Sequence, residues 1–182
     1  MIETTQSVTI AVGIDRVWDY VRNIEAWASI MPGYRECRII DDNDSHWVLK
    51  VGAGGMVRTV NVLVHVDRWD GPGNVLFSYK LDGDPVQGGG TYTATAKGPD
   101  ETEISLNVQV VGSGPLAPMW EAMGKPLLPQ FAKSFANELK DRIEASAGDT
   151  GAEAAAAQAA SGSTFGRWLR NIWQALFGRR DH

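Results

Sequence analysis

A chain of 182 residues with 43% apolar residues is long enough for one packed domain plus an extension. Its single cysteine, Cys37, excludes an internal disulfide and a multi-cysteine zinc site, and reads as a small core residue. The net charge of −5 lies in the body, an acidic balance that argues against nucleic-acid binding, which needs a basic face for the phosphates.

The charge is uneven along the chain. The last segment carries Arg167, Arg170, Arg179 and Arg180 against Asp181 and is basic, in contrast to residues 1–147. Met1 to Val12 lacks the basic start and apolar run of a signal peptide. No window has the roughly 18 consecutive apolar residues of a membrane-spanning helix. The expectation is a cytoplasmic protein.

Ile2, Thr4, Gln6, Val8, Ile10 and Val12 share one face of a first strand. Asp15 opens a short helix through Val17, Trp18 and Val21, and a second helical turn covers Ile24 to Ile30. Met31-Pro32-Gly33 stops it, because proline removes a donor and glycine permits a sharp exit. From Tyr34 to Gly112 the period is two, clearest over Arg58–Asp67, Asn74–Leu81 and Glu103–Val111. Clusters such as Asp41–Asp44, Asp70–Gly73 and Asp82–Pro85 mark the turns, so six or seven strands follow the two helices.

From Pro115 to about Ala147 the period returns to 3.6. Leu116, Met119, Trp120, Met123, Leu127, Phe131, Phe135, Leu139 and Ile143 form one apolar face, which Gly124, Pro126 and Pro129 are expected to kink or break. Residues 148–163, rich in Ala, Gly and Ser, read as a flexible linker, with Ala154–Ala157 able to be helical.

Over 164–182 the pattern changes again. Phe165, Trp168, Leu169, Ile172, Trp173, Leu176 and Phe177 form a helical stripe, with Arg167, Arg170, Arg179 and Arg180 among the polar remainder. Seventeen helical residues reach about 25 Å, short of a bilayer core of about 30 Å. Such a helix can lie in a membrane interface, its apolar face buried and its arginines toward anionic headgroups. It can also fill a groove on a partner or dock on its own domain.

The order of strand, two short helices, antiparallel strands and long helix gives an α+β fold in which one helix covers a curved sheet. The inward residues on the strands are Trp47, Leu49, Val60, Val62, Val64, Phe77, Tyr79, Leu106 and Val108. With Trp120, Met123, Leu127 and Phe131 of the long helix they are the candidate lining of a hydrophobic ligand site. Each could equally be ordinary core packing. Lys50, Ser78, Lys80, Ser105, Asn107 and Gln109 take the solvent face.

The opening strand, Asp15-Arg-Val-Trp18, Ala26-Trp-Ala-Ser-Ile-Met-Pro-Gly33 and the Phe131, Phe135, Leu139 helix together resemble the START-like (SRPBCC) superfamily over about residues 1–145. Within it, the placement of Met31-Pro32-Gly33 most resembles the family of G-type subunits of carbon monoxide dehydrogenase. The superfamily resemblance implies a helix-grip fold with a deep hydrophobic cavity for lipids, sterols, polyketides or quinones. The resemblance to the G-type family further implies membrane recruitment and handling of a quinone beside an oxidoreductase. The glycine-rich stretch Gln87-Gly-Gly-Gly90 departs from the family pattern and reads as a bulge near the cavity mouth.

No phosphate loop, metal spacing or nucleophile elbow is present. His46 lies by a turn, His65 shares a strand with a dominant valine face and His182 ends the chain, so no catalytic or metal residue is assigned. Asn61 and Tyr79 are candidates to contact a ligand carbonyl. Three functions stay open. The first is a membrane-peripheral carrier of a quinone-like or lipid ligand on the inner face of the cell membrane, with no covalently bound cofactor. The second is a recruitment adaptor for an enzyme complex, and the third a polyketide or sterol cyclase.

Overall fold

In the computed structural model the backbone is described for residues 1–53, 56–115 and 117–177, and side chains for 1–52, 57–115 and 117–148. Ten elements follow one another: β1 (Ile2–Ile10), α1 (Ile14–Val21), α2 (Ile24–Ser29), β2 (Tyr34–Ile39), β3 (Asp44–Ala53), β4 (Met56–Asp70), β5 (Asn74–Leu81), β6 (Val86–Gly98), β7 (Glu101–Gly112) and α3 (Ala117–Phe177). They divide into a compact unit, Met1–Glu144, and a second unit from Ala145 onward.

The seven strands form one antiparallel sheet in the order β1-β7-β6-β5-β4-β3-β2. Hairpins join β2 through β7 in sequence, and β1 closes on β7 with Ile2 opposite Val110 and Ile10 opposite Thr102. Register shifts interrupt the ladders at Tyr34/Glu36, Val66/Arg68 and Ala96/Gly98. Such bulges sharpen the local twist and let strands as long as the fifteen residues of β4 curve round a helix. The pairs Trp47–Val62, Leu49–Val60, Val64–Tyr79 and Val75–Tyr92 put apolar side chains in rows across the concave face.

Local signals set the small helices. Asp15 lies in the first turn of α1, where a carboxylate meets the positive end of the helix dipole. Asn23 caps α2, its side-chain oxygen accepting the Ala26 N–H at 3.1 Å.

The long helix is not broken at the prolines. Pro126 and Pro129 both lie inside α3. Each removes a backbone donor at about 3 kcal/mol or more, but burial of the apolar face against the sheet outweighs that local preference. Gly124 packs against Ile2 of β1, so its role is a close approach rather than a break. The Gln87–Gly90 stretch is not a bulge either, since its residues pair in unbroken register with both β5 and β7.

α3 includes the stretch read as linker. The side chains of the linker and tail from Asp149 onward lie outside the described residues, as does all of 178–182, including Arg179 and Arg180. No helix among the described residues is long and apolar enough to cross a membrane.

The far end of the compact unit is pinned to β1. Phe135, Leu139 and Ile143 are buried. The Lys140 ammonium donates to the Thr9 carbonyl at 2.8 Å, and the Glu144 carboxylate accepts the Ala11 N–H at 2.8 Å and pairs with Lys140. The Ala11 hydrogen bond, with Lys140 adding to it, holds the Glu144 carboxyl below its ordinary value of 4.5. A lowered carboxylate stabilises the fold above its unfolded value and loses that contribution as pH falls through the folded value. Glu144→Gln is therefore expected to cost about 1 kcal/mol at neutral pH. It should also flatten the loss of stability below pH 4.5, as read by urea unfolding at several pH values.

Candidate functional site

Between the concave sheet and α3 lies a cavity of about 300 Å³. It is at the small end of the range of ligand sites, which run to about 1,000 Å³. β3 lends Trp47 and Leu49, β4 lends Val60, Val62 and Val64, β5 lends Phe77 and Tyr79, β7 lends Leu106 and Val108, and α3 lends Trp120, Leu127 and Phe131. Every residue expected on this wall from the sequence is there except Met123. On α3 the cavity face runs through residues 120, 124, 127, 128, 131, 132, 135 and 139, and Met123 lies about 40° outside the edge of that stripe.

The sequence reading missed several wall residues. Trp27 and Met31 come from the α2 region, Val51 and Leu81 from strand ends, and Tyr92 from β6. Trp27 stands edge-on to Trp47, ring centroids 5.2 Å apart, and tilted on Phe77 at 6.1 Å, so three aromatic rings form one side of the wall. Asn61 does not reach the cavity: it alternates with the inward Val60 and Val62 and is exposed on the outer face. His65 is likewise on the outer face, where its Nδ1 lies 2.9 Å from the Asp44 carboxylate.

Glycines shape the β6 side. Gly88 sits opposite Tyr79 and Gly90 opposite Phe77. A Cβ on Gly90 would lie 2.3 Å from the Asn107 carbonyl oxygen and 2.7 Å from the Phe77 ring, and one on Gly88 would meet Tyr79 and the Gln109 carbonyl. The two aromatic rings lean over strand β6 into space that any side chain there would take.

Among the described residues no Asp, Glu, Lys, Arg or His lines the cavity. The cavity surface is almost wholly apolar, and the polar side-chain atoms of its lining residues, all tyrosines and tryptophans, are turned away from it. The Tyr79 hydroxyl donates to the Gln109 carbonyl at 3.0 Å, and the Trp47 indole donates to the Ser45 hydroxyl at 2.9 Å. Three donors have no partner: the Trp27 and Trp120 indole N–H groups and the Tyr92 hydroxyl. A buried polar group left unpaired costs about 1–3 kcal/mol. Burial raises the Tyr79 and Tyr92 phenols above their ordinary value of 10, so both stay protonated at neutral pH and neither acts as a general base.

The sequence profile described as polyketide cyclase/dehydrase and lipid transport matches residues 1–144. The chain belongs to this family. No curated protein matches it in sequence. Solved structures share its fold at low identity. A conserved protein from Geobacillus kaustophilus is 14% identical, with a TM-score of 0.67, over 80% of this chain and 97% of that one. A START superfamily protein from Mycobacterium smegmatis is 16% identical, with a TM-score of 0.61, over 78% and 97%. The Zhui aromatase/cyclase from Streptomyces sp. R1128 is 17% identical, with a TM-score of 0.58, over 79% and 93%. The α+β helix-grip fold of the START-like superfamily is thus established for the compact unit, and this polyketide cyclase/dehydrase and lipid transport member has the hydrophobic ligand-binding fold of its family.

Gly90→Val is expected to destabilise the domain by about 2 kcal/mol or more, because the clash involves the backbone of β7 as well as the Phe77 ring. A thermal or urea melt of the variant beside the wild type measures it. An unchanged midpoint would show that the rings do not need this space.

Proposed function

We propose that this chain is a membrane-peripheral carrier that takes a hydrophobic small molecule into the cavity beneath α3. The observation that carries the reading is the cavity itself: about 300 Å³, walled by aliphatic and aromatic side chains, with no Asp, Glu, Lys, Arg or His among its described lining residues. Apolar space of this kind gains about 25 cal/mol for each Å² of ligand surface taken from water. It offers no group that would take a proton from a substrate, since both wall phenols are held protonated. That favours carriage over base-assisted cyclisation, although the family's name covers both enzymes and lipid transport.

The finer reading adds a quinone-like or lipid cargo and delivery to an oxidoreductase such as carbon monoxide dehydrogenase, at the inner face of the cell membrane. Its support is the resemblance at Met31-Pro32-Gly33 and the tail, where Phe165, Trp168, Leu169, Ile172, Trp173, Leu176 and Phe177 alternate at helical spacing with arginines. The competing adaptor reading uses the same tail and leaves the cavity without a role.

Native mass spectrometry with lipid extraction separates them, on the full chain and on residues 1–147, from membrane and cytosolic fractions. The carrier predicts a stoichiometric lipophilic species in both forms and membrane retention of the full chain alone. An empty domain whose membrane retention still needs the tail leaves the adaptor, and retention of the truncated form removes the tail from the account. Val108→Trp, which places an indole in the cavity, is expected to abolish the bound species while the domain still folds, as checked by circular dichroism.

A further inference from the structure

The sheet has two edges, and the chain covers them unequally. Beside β1, Lys140 donates to the Thr9 carbonyl and the Glu144 carboxylate accepts the Ala11 N–H, so α3 answers the backbone there. β2 is the other edge, and among the described residues β3 is its one strand neighbour. Arg35, Glu36, Arg38, Ile39 and Ile40 are exposed along it, the two isoleucines by 45% and 53%. The hairpin decides which backbone groups face outward. The Ile40 N–H donates to the Asp44 carbonyl at 2.9 Å, and Ile39 back to Glu36 continue in unbroken register with Ser45 to Val48. Bonded and non-bonded pairs alternate along an antiparallel ladder. Arg38 and Glu36 therefore give their backbone groups to β3, while Cys37 and Ile39 turn theirs off the edge. The Cys37 N–H accordingly faces the Tyr34 phenol rather than β3. No backbone bond from elsewhere among the described residues answers Cys37 or Ile39.

We propose that two copies of this chain pair through β2, antiparallel about a two-fold axis at Cys37, so that one sheet continues into the other. Each Cys37 exchanges N–H and C=O with its counterpart, and Glu36 of each copy stands opposite Arg38 of the other. That second pair is of the non-bonded kind, with Cα atoms about 4.5 Å apart and side chains closest together. Charge and hydrogen-bond phase select this register together. Moving the axis by one residue, to Arg38 or to Glu36, keeps the phase but sets arginine against arginine or glutamate against glutamate. Neither Glu36 nor Arg38 takes part in an ion pair among the described residues, so both are free for the partner. Charges on an edge strand ordinarily discourage pairing, whereas here a two-fold axis brings opposite signs together twice. Burial, with the Glu25 carboxylate adding to it, pushes the Cys37 thiol up to about 11, so it stays a thiol at pH 7 and the contact is non-covalent. A ladder this short falls below the roughly 1,200 Å² of a standard interface, and the dimer is accordingly weak and concentration-dependent.

The test is sedimentation velocity on the full chain up to about 500 µM, joined to amide hydrogen exchange at low and high concentration. The unmodified chain is expected to pass from monomer to dimer as concentration rises. In the dimer, exchange of the Cys37 and Ile39 amides should slow, while the Arg38 amide, already bonded to β3, should not respond. Arg38→Glu and Glu36→Arg each set like charges opposite one another twice, and each is expected to weaken the dimer about tenfold. Combining the two substitutions in one chain restores opposite signs and should return the dimer to within about threefold of the original. A chain that stays monomeric throughout would overturn the proposal. So would a dimer in which the Cys37 and Ile39 amides are unprotected, or one that both single variants leave unchanged, since association then runs through another surface. The exchange measurement on the unmodified chain decides the matter even if a variant does not fold. Either result leaves the carrier reading as it stands.

Discussion

The hollow exists because α3 is pressed onto the sheet at one end and held off it at the other. Toward Glu144, Ala132, Phe135 and Leu139 are buried where they close the end of the cavity, and Ala136 and Ile143 are buried away from it, Ile143 being 1% exposed. Lys140 and Glu144 fasten the same turns to the end of β1. Toward Ala117, Trp120, Leu127, Leu128 and Phe131 are only half-buried and face the cavity. The sheet cannot follow the helix and fill the gap, since bulges and long continuous ladders fix its curvature. A well-packed interior would not tolerate such a void without cost, so the domain concentrates its packing at the closed end and leaves the apolar wall of the other end unmated.

That division explains the polar inventory. Away from the hollow, buried hydroxyls are answered from within the chain: Thr102 donates to the Val12 carbonyl at 2.7 Å, and Ser45 takes the Trp47 indole. Around the cavity three donors are left without an answer. Charges stay off the cavity wall: Arg58 pairs with Asp84 at 2.8 Å, and His65, its pKa raised by its hydrogen bond to Asp44, sits in solvent.

Much of this was legible from period alone. Alternation in β3, β4, β5 and β7 separated the wall from the solvent face because valines, leucines and aromatics alternate there with Lys, Ser, Asn and Gln. The same rule was silent on β6, whose inward positions include Gly88, Gly90, Tyr92 and Ala94 among threonines, so Tyr92 carried no hydrophobic contrast with its neighbours. Trp27 sits in a six-residue helix, too short for a stripe. The glycine run suggested irregular backbone, yet it is regular strand. Its glycines answer to Phe77 and Tyr79 on the next strand, a cross-strand dependence that no single-strand pattern contains. Pro126 and Pro129 suggested a kink or a break, and the break is absent for the converse reason: local propensity was plain, and the tertiary burial that overrides it was not.

Those prolines also grade the helix along its length. Each lacks the N–H that would close a hydrogen bond to the preceding turn, and both lie in the half that faces the cavity. That half therefore has fewer backbone bonds as well as less buried surface than the turns around Leu139 and Ile143. Local opening draws on both quantities, so its free energy is lower over the cavity than at the anchored end. The void and the weaker helix above it thus have a common origin. Side chains that face a hollow cannot contribute the packing that would stiffen the backbone carrying them, and the part of α3 with the least to hold it is the part that covers the cavity.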